Sequence, residues 1–169
     1  MPDTKTSALT AKTSLASGDL LYLSSGGNDR SIDVDNFSET GTFTPTIYGA
    51  TTAGSHTYSQ QNGHFCRVGK MVQFSIFLQL TSKDVAMSGS IRFSGLPYAC
   101  TGSNAYTPAS IAWVQNLTLT SDYDLMAYIQ AGSTYINLQE SNGASLADIT
   151  DADIANDTQI MISGCYQAA

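Results

Sequence analysis

The chain has 169 residues, with 14 Asp and Glu against 7 Lys and Arg, a net charge of −7, and charged residues at only 12% of the total. The cations are scattered singly, so neither a nucleic-acid partner, which needs clustered positive charge, nor an anionic membrane surface is expected. No apolar run approaches the roughly 18–20 residues of a membrane span, and the length suits one domain plus an appendage, with Ser, Thr, Asn, Gln and Gly filling the surface that charge usually occupies.

In chain order, "MPDTKTSALTAKTS" lacks the apolar core of a secretory signal, so export by that route is not expected. "DLLYLSS", "GGND" and "RSIDVDNF" read as two short strands around a Gly-Gly turn. Residues 1–40 hold too few large apolar side chains for a core of their own and should dock on something larger. "SETGTFTPT" reads as a linker, and the Pro in "TFTPTIYG" marks an edge strand or the start of one. "ATTAGSHTYSQQNG" reads as a turn-rich connection.

The strongest signal is "GHFCRVGKMVQFSIFLQLTS", a hairpin turning at Gly69-Lys70. On its second arm Val72, Phe74, Ile76, Leu78 and Leu80 share one face. Gln73, Ser75 and Gln79 share the other, with Phe77 among them. "SGSIRFSGLPY" puts Ile91 and Phe93 on one face, stopped by Gly95 and Pro97. "ASIAWVQNLTLT" puts Ile111, Trp113, Leu117 and Leu119 in one phase, with Gln115 interrupting. A second hairpin is expected around "AGST", and "TQIMISGCYQAA" ends the chain with Ile160, Ile162 and Gly164 in phase. "SLADITDADIAND" alone breaks the strand pattern and reads as one short helical turn or an ordered loop. Seven or so short strands predict an all-β fold, an antiparallel, jelly-roll-like β-sandwich over residues 41–169, preceded by an extended arm and small hairpin over residues 1–40.

Candidate chemistry is sparse. Cys66, Cys100 and Cys165 are odd in number and widely spaced, which argues for small buried thiols rather than disulfides or a zinc site. His56 and His64 have Asn, Thr and Ser neighbours that suggest exposed loops, and no G-x-S-x-G elbow accompanies them, so no catalytic residue is expected. Asp148, Asp151, Asp153 and Asp157 form a calcium candidate, but they lack the Gly and the closing Glu of the standard loop, which leaves a solvated acidic loop as the simpler reading. Asp122, Tyr123 and Asp124 read as a turn between strands. Tyr48, Tyr58, Tyr98, Tyr106 and Tyr123, near strand ends or in loops, are candidates for a rim that stacks on sugar rings or meets a partner. Aromatics also cover the ends of any β-sandwich.

The segment "GTFTPTIYGATTAGSHTYSQQNGHFCRVGKMVQFSIFLQLTS" resembles the opening of carboxy-terminal modules in tailed-bacteriophage fibre and virion surface proteins. "SGSIRFSGLPY" and "DTQIMISGCY" look like later strands of such modules. "TSALTAKTSLASGDLLYLSSGGNDRSIDVDNF" is similar to a segment that precedes them. The resemblance implies a homotrimer, assembled in the host cytoplasm and carried on the virion, with residues 1–40 anchored to other virion proteins of capsid or tail. It also implies that Phe77 faces a neighbouring chain, with Gln73, Ser75 and Gln79 at a subunit contact or in water. The long shaft of such fibres is missing, which points to a short head fibre or decoration protein seated directly on the capsid, within a resemblance that covers head- and tail-fibre-like proteins alike. The expected function is therefore structural and non-enzymatic: a phage virion surface protein without a cofactor, its outward end suited to host-surface glycan attachment. Two alternatives remain open on the residues, a capsid decoration or cement protein and a free carbohydrate-binding module. An enzyme cutting host polysaccharide is disfavoured because no two carboxylates are paired by the pattern.

Overall fold

The computed structural model describes residues 20–25, 28–33, 38–102 and 106–169, the first two segments by their backbone pairing. The chain divides into two compact units, Met1–Glu39 and Thr40–Ala169. In the first, β1 (Leu20–Ser25) pairs antiparallel with β2 (Asn28–Asp33), from Leu20↔Asp33 to Ser25↔Asn28. This is the hairpin expected from the Gly-Gly pair. Those two glycines, the arm before Leu20 and residues 34–37, where Val34 was expected to continue the second strand, lie outside the described residues.

The second unit is built from β3 (Ser38–Phe43), β4 (Thr46–Gly49), β5 (Thr57–Val68), β6 (Met71–Ser82), β7 (Ile91–Ser94), β8 (Thr107–Leu117), β9 (Asp124–Ile129), β10 (Ile136–Ser141), β11 (Leu146–Asp148) and β12 (Ile154–Gln167). A 3₁₀ turn at Asp151–Asp153 is the short helical turn expected in this segment. The strands form one ten-stranded sheet in the order β3-β5-β6-β12-β8-β9-β10-β7-β4, with β11 beside β10. The all-β, antiparallel expectation holds. The strands form one uninterrupted ladder, not separate sheets.

The ladder must curl. β3 and β4 lie at its opposite edges, yet only Thr44 and Pro45 join them. Three residue steps of extended chain reach at most about 11 Å, so the two edges are drawn together. The Tyr58 hydroxyl on β5 spans them, accepting from the Ile47 amide at 3.3 Å and donating to the Ile47 carbonyl at 3.4 Å on β4. Pro45 is buried at the crossing. Gly95, at φ 102°, passes so close that a Cβ there would lie 2.6 Å from the Thr44 carbonyl oxygen. The supposed linker "SETGTF" is thus largely an edge strand, and the supposed connection before Gly63 is the first half of β5, bulged at Ser59.

The core fills the inside of the curl. Val72, Phe74, Ile76, Leu78 and Leu80 of β6 are each at most 3% exposed, and Ile160 and Ile162 of β12 flank them. From the other half come Ile47, Ile91, Phe93, Ile129, Ile136 and Leu138, each at most 1% exposed. Each such side chain contributes about 1.5–3 kcal/mol by leaving water. On the inner face three phenylalanines cover three cross-strand glycines. Phe65 lies 2.6 Å from where a Gly41 Cβ would stand, Phe43 2.7 Å from that of Gly63, and Phe74 2.8 Å from that of Gly164. Ring and glycine fill one another's space, which also pins the register.

One expectation fails on β8. Ile111 pairs with Ile162, but the next pair is Trp113 with Met161, so Ala112 is an extra residue. This β-bulge resets the phase and turns Trp113 outward, leaving it 51% exposed. A larger irregularity follows, where Thr158 is buried and donates to the Asn116 carbonyl at 2.6 Å. The thiols also differ from expectation: none forms a disulfide, but only Cys100 is buried, Cys66 is half-buried, and Cys165 stands exposed because its phase on β12 is the outer one.

Two buried polar groups tie loops to the sheet. Glu140, 6% exposed, accepts the Thr120 amide at 2.8 Å and the Thr120 hydroxyl, holding the loop before β9. Glu140→Ala should cost about 2 kcal/mol in urea unfolding, since it leaves the Thr120 donors without their charged partner. Tyr166 donates its hydroxyl to the Tyr98 carbonyl at 2.8 Å. Burial pushes its phenol from the ordinary 10.0 up to about 12. The folded state therefore holds this proton more tightly than the unfolded state. The resulting stability is complete below pH 10.0 and is lost as pH rises toward about 12. Tyr166→Phe should lose about 1 kcal/mol at neutral pH, and its thermal midpoint should fall less steeply with alkali than that of the wild type.

Candidate functional site

Strands that bury one face present the other, and the curl divides that outer surface into two differently built faces. The first covers β5, β6, β12 and β8, where the registers align side chains in rows. Gln60, Gln79, Gln159 and Gln115 form one row across all four strands. Asn62, Phe77, Met161 and Trp113 form the next, and His64, Ser75, Ser163 and Ser110 the third. Beyond them come Cys66, Gln73 and Cys165, then Val68, Met71 and Gln167. No Asp, Glu, Lys or Arg stands in these rows. A groove of about 450 Å³ runs along Asn62, His64, Phe77, Ala112 and Met161.

The second face covers β4, β7, β10 and β9. Tyr48, Arg92, Asn137 and Tyr128 are cross-strand neighbours in one outward row that ends at Pro108 of β8. Their neighbours along each strand (Ile47, Phe93, Ile136 and Ile129) point into the core. The Arg92 guanidinium lies over the Tyr135 ring, 4.6 Å from its centroid. Tyr135 meets Tyr48 edge-on at 6.5 Å, and Tyr106 tilts against Tyr128 at 5.9 Å. Asp148 borders the row, accepting from Gln139 Nε2 at 2.8 Å and from Ser90 Oγ at 2.7 Å. These two bonds, assisted by the Arg92 charge, hold its carboxyl below the usual range. Burial, with the Asp148 charge nearby, raises the Tyr128 phenol.

Two donors in this cluster have no acceptor. Arg92 Nε and Asn137 Nδ2 are both buried without a hydrogen-bond partner, and Asn137 as a whole is only 8% exposed. Each orphaned donor costs about 1–3 kcal/mol relative to a paired one, and both are covered by protein, so a ligand reaches them only after local movement.

Of the five tyrosines singled out in the sequence, the structure brings Tyr48 and Tyr106 to this face. The others serve the fold. Tyr58 spans the closing edges. Tyr98 packs edge-on against Phe65 at 5.9 Å and carries Arg67 over its ring at 4.3 Å. Tyr123, half-buried, closes the turn before β9 through its amide to the Thr120 carbonyl at 3.1 Å. Arg92, Asn137, Tyr128 and Tyr135 were missed. The alternation in "SIRFS" and "TYINLQ" puts Arg92, Tyr135 and Asn137 in outward phase, but their adjacency depends on β7 pairing with β10.

The four acidic residues of the calcium candidate do not converge. Asp148 is held by Ser90 and Gln139, Asp151 Oδ1 accepts the Gly89 amide at 3.3 Å, and Asp153 turns back onto the Thr150 amide at 2.8 Å. Asp157 lies in the irregular start of β12, and no group of three or more His, Cys, Asp or Glu among the described residues could hold a metal ion. Asp148, Asp151 and Asp153 each answer a different local donor, which separates them. His64 lies exposed on a strand, not in a loop. His56 is half-buried, with Nδ1 accepting the Asp84 amide at 3.0 Å and the ring against Tyr58 at 6.3 Å.

No family model and no curated protein matches the chain. Among solved structures it is similar to the crystal structure of the Dettilon tailspike protein (gp208), with a TM-score of 0.65 and 20% identity over 78% of this chain. The match spans 24% of that protein's chain, so this chain corresponds to about a quarter of it. The likeness is one of fold.

Because Nδ2 of Asn137 is unpaired, Asn137→Leu should leave urea stability within about 1 kcal/mol of the wild type or raise it. A loss well beyond that would mean that the amide is satisfied in solution and that the cluster is an ordinary polar core.

Proposed function

We propose that the chain is a structural component of a phage virion: a short, trimeric, fibre-like surface protein. Residues 1–40 attach it to the particle, and the curled β-domain is turned outward to meet host-surface saccharide. The fold likeness to a phage tailspike is the observation that carries this reading. The face of Tyr48, Arg92, Tyr128 and Tyr135 supports the saccharide part, because clustered aromatic rings beside a guanidinium suit a polyhydroxylated ring. The low surface charge also fits, since three like-charged subunits approach one another closely. The role is binding and display, without catalysis.

The packed core runs from Phe43 to Ala168, so the β-domain has what it needs to fold without residues 1–40. Removing those residues should leave a cooperatively folded domain that no longer joins particles. A truncated chain that still incorporates would rule out the arm as the anchor. On an array of bacterial surface oligosaccharides, Arg92→Ala and Tyr128→Ala should each weaken binding roughly tenfold, the loss of about 1.4 kcal/mol. Absence of any saccharide binding by the wild type, together with dense packing between capsomers on particles, would favour a cement role.

A further inference from the structure

The uncharged outer face of β5, β6, β12 and β8 has no role in binding saccharide through the second face. We infer that it is the surface on which copies of this chain pack against one another. For the existence of a multimer the inference rests on the proposed function above. The choice of face rests on the structure.

Three observations select a second copy as the occupant. The first is charge. The β-domain carries eight Asp and Glu against four Lys and Arg, so copies repel wherever those groups meet. None of them stands in the five rows of this face. A partner recognised by opposite charge finds nothing here to read, whereas a like-charged copy meets no penalty. The second is hydrogen-bonding versatility. The rows contribute Gln, Asn and Ser, and an amide or hydroxyl both donates and accepts. Such rows can hydrogen-bond any polar part of a second copy, whereas rows of Lys or Asp cannot. The third is size and apolarity. Three rows of four residues and two of three cover roughly 600 Å², somewhat below the roughly 800 Å² per partner of a standard stable interface. Within it Trp113 is 51% exposed, Met71 52%, Val68 58% and Met161 38%. Trp and Met are side chains that interface centres favour. The Ala112 bulge, which turns Trp113 outward, is the local device that puts it there.

The test is the solution mass of the full chain by light scattering, beside Trp113→Glu, Met161→Glu and a control, Val85→Glu, at a position 95% exposed and outside the rows. The wild type and Val85→Glu should run at a multiple of 17.9 kDa. Trp113→Glu and Met161→Glu should fall to a single chain with the β-sheet circular dichroism retained. Should either variant fail to fold, Gln115→Glu, exposed at the end of the glutamine row, makes the same test. Variants that keep the wild-type mass would overturn the choice of face and leave the virion reading standing. A monomeric wild type would overturn the inference. The virion reading is judged separately, by particle incorporation. A chain that multimerises through this face yet never joins particles would keep the inference and end that reading.

Discussion

The fold depends on a short piece of covalent chain. Thr44 and Pro45 join strands at opposite edges of a ten-stranded sheet. A flat sheet of that width would separate its edges by far more than two residues can span, given strands about 4.8 Å apart. The sheet has to curl, and curling creates a concave side large enough to hold a core. The edges are then occupied by each other's neighbourhood, with Tyr58 hydrogen-bonded to Ile47 across them. Exposed strand edges invite aggregation, and closure of this kind is one way to avoid them. Gly95 and the buried Pro45 are what the close crossing requires: no side chain on one, no amide donor on the other.

Once the curl exists, the division of labour between surfaces follows. The inner side takes every second residue of each strand. The outer side is left as two faces because the strands bend away from each other. One face is long, and its five rows carry no formal charge. The other is smaller, aromatic and cationic at its centre, with Arg92 over Tyr135 and Asn137 pressed beside it.

The acidic loop before β12 shows how local needs disperse residues that a sequence groups together. Asp148, Asp151 and Asp153 lie within six positions, a spacing that suits a cation. The backbone around them instead supplies separate donors from Ser90, Gln139, Gly89 and Thr150. A carboxylate bonded to a nearby amide or hydroxyl gains without bringing like charges together, and that outcome prevails here.

The sequence by itself determined the all-β class, the hairpin at Gly69-Lys70, the inward stripe from Val72 to Leu80 and the phase of Ile160 and Ile162. Each of these is encoded by neighbours in the chain: alternation has a period of two, and a tight turn needs only its own residues. It also carried a quieter signal, Gln115 breaking the phase of β8, whose cause is the bulge at Ala112. What only the tertiary structure decided is which strands became neighbours. The partnership of β12 with both β6 and β8 lines up four glutamines drawn from segments up to 99 positions apart, Gln60 to Gln159. The pairing of β7 with β10 sets Arg92 beside Asn137. Such pairings are chosen by closing the whole sheet around one core, a global balance of burial and chain connectivity that no local stretch of residues contains.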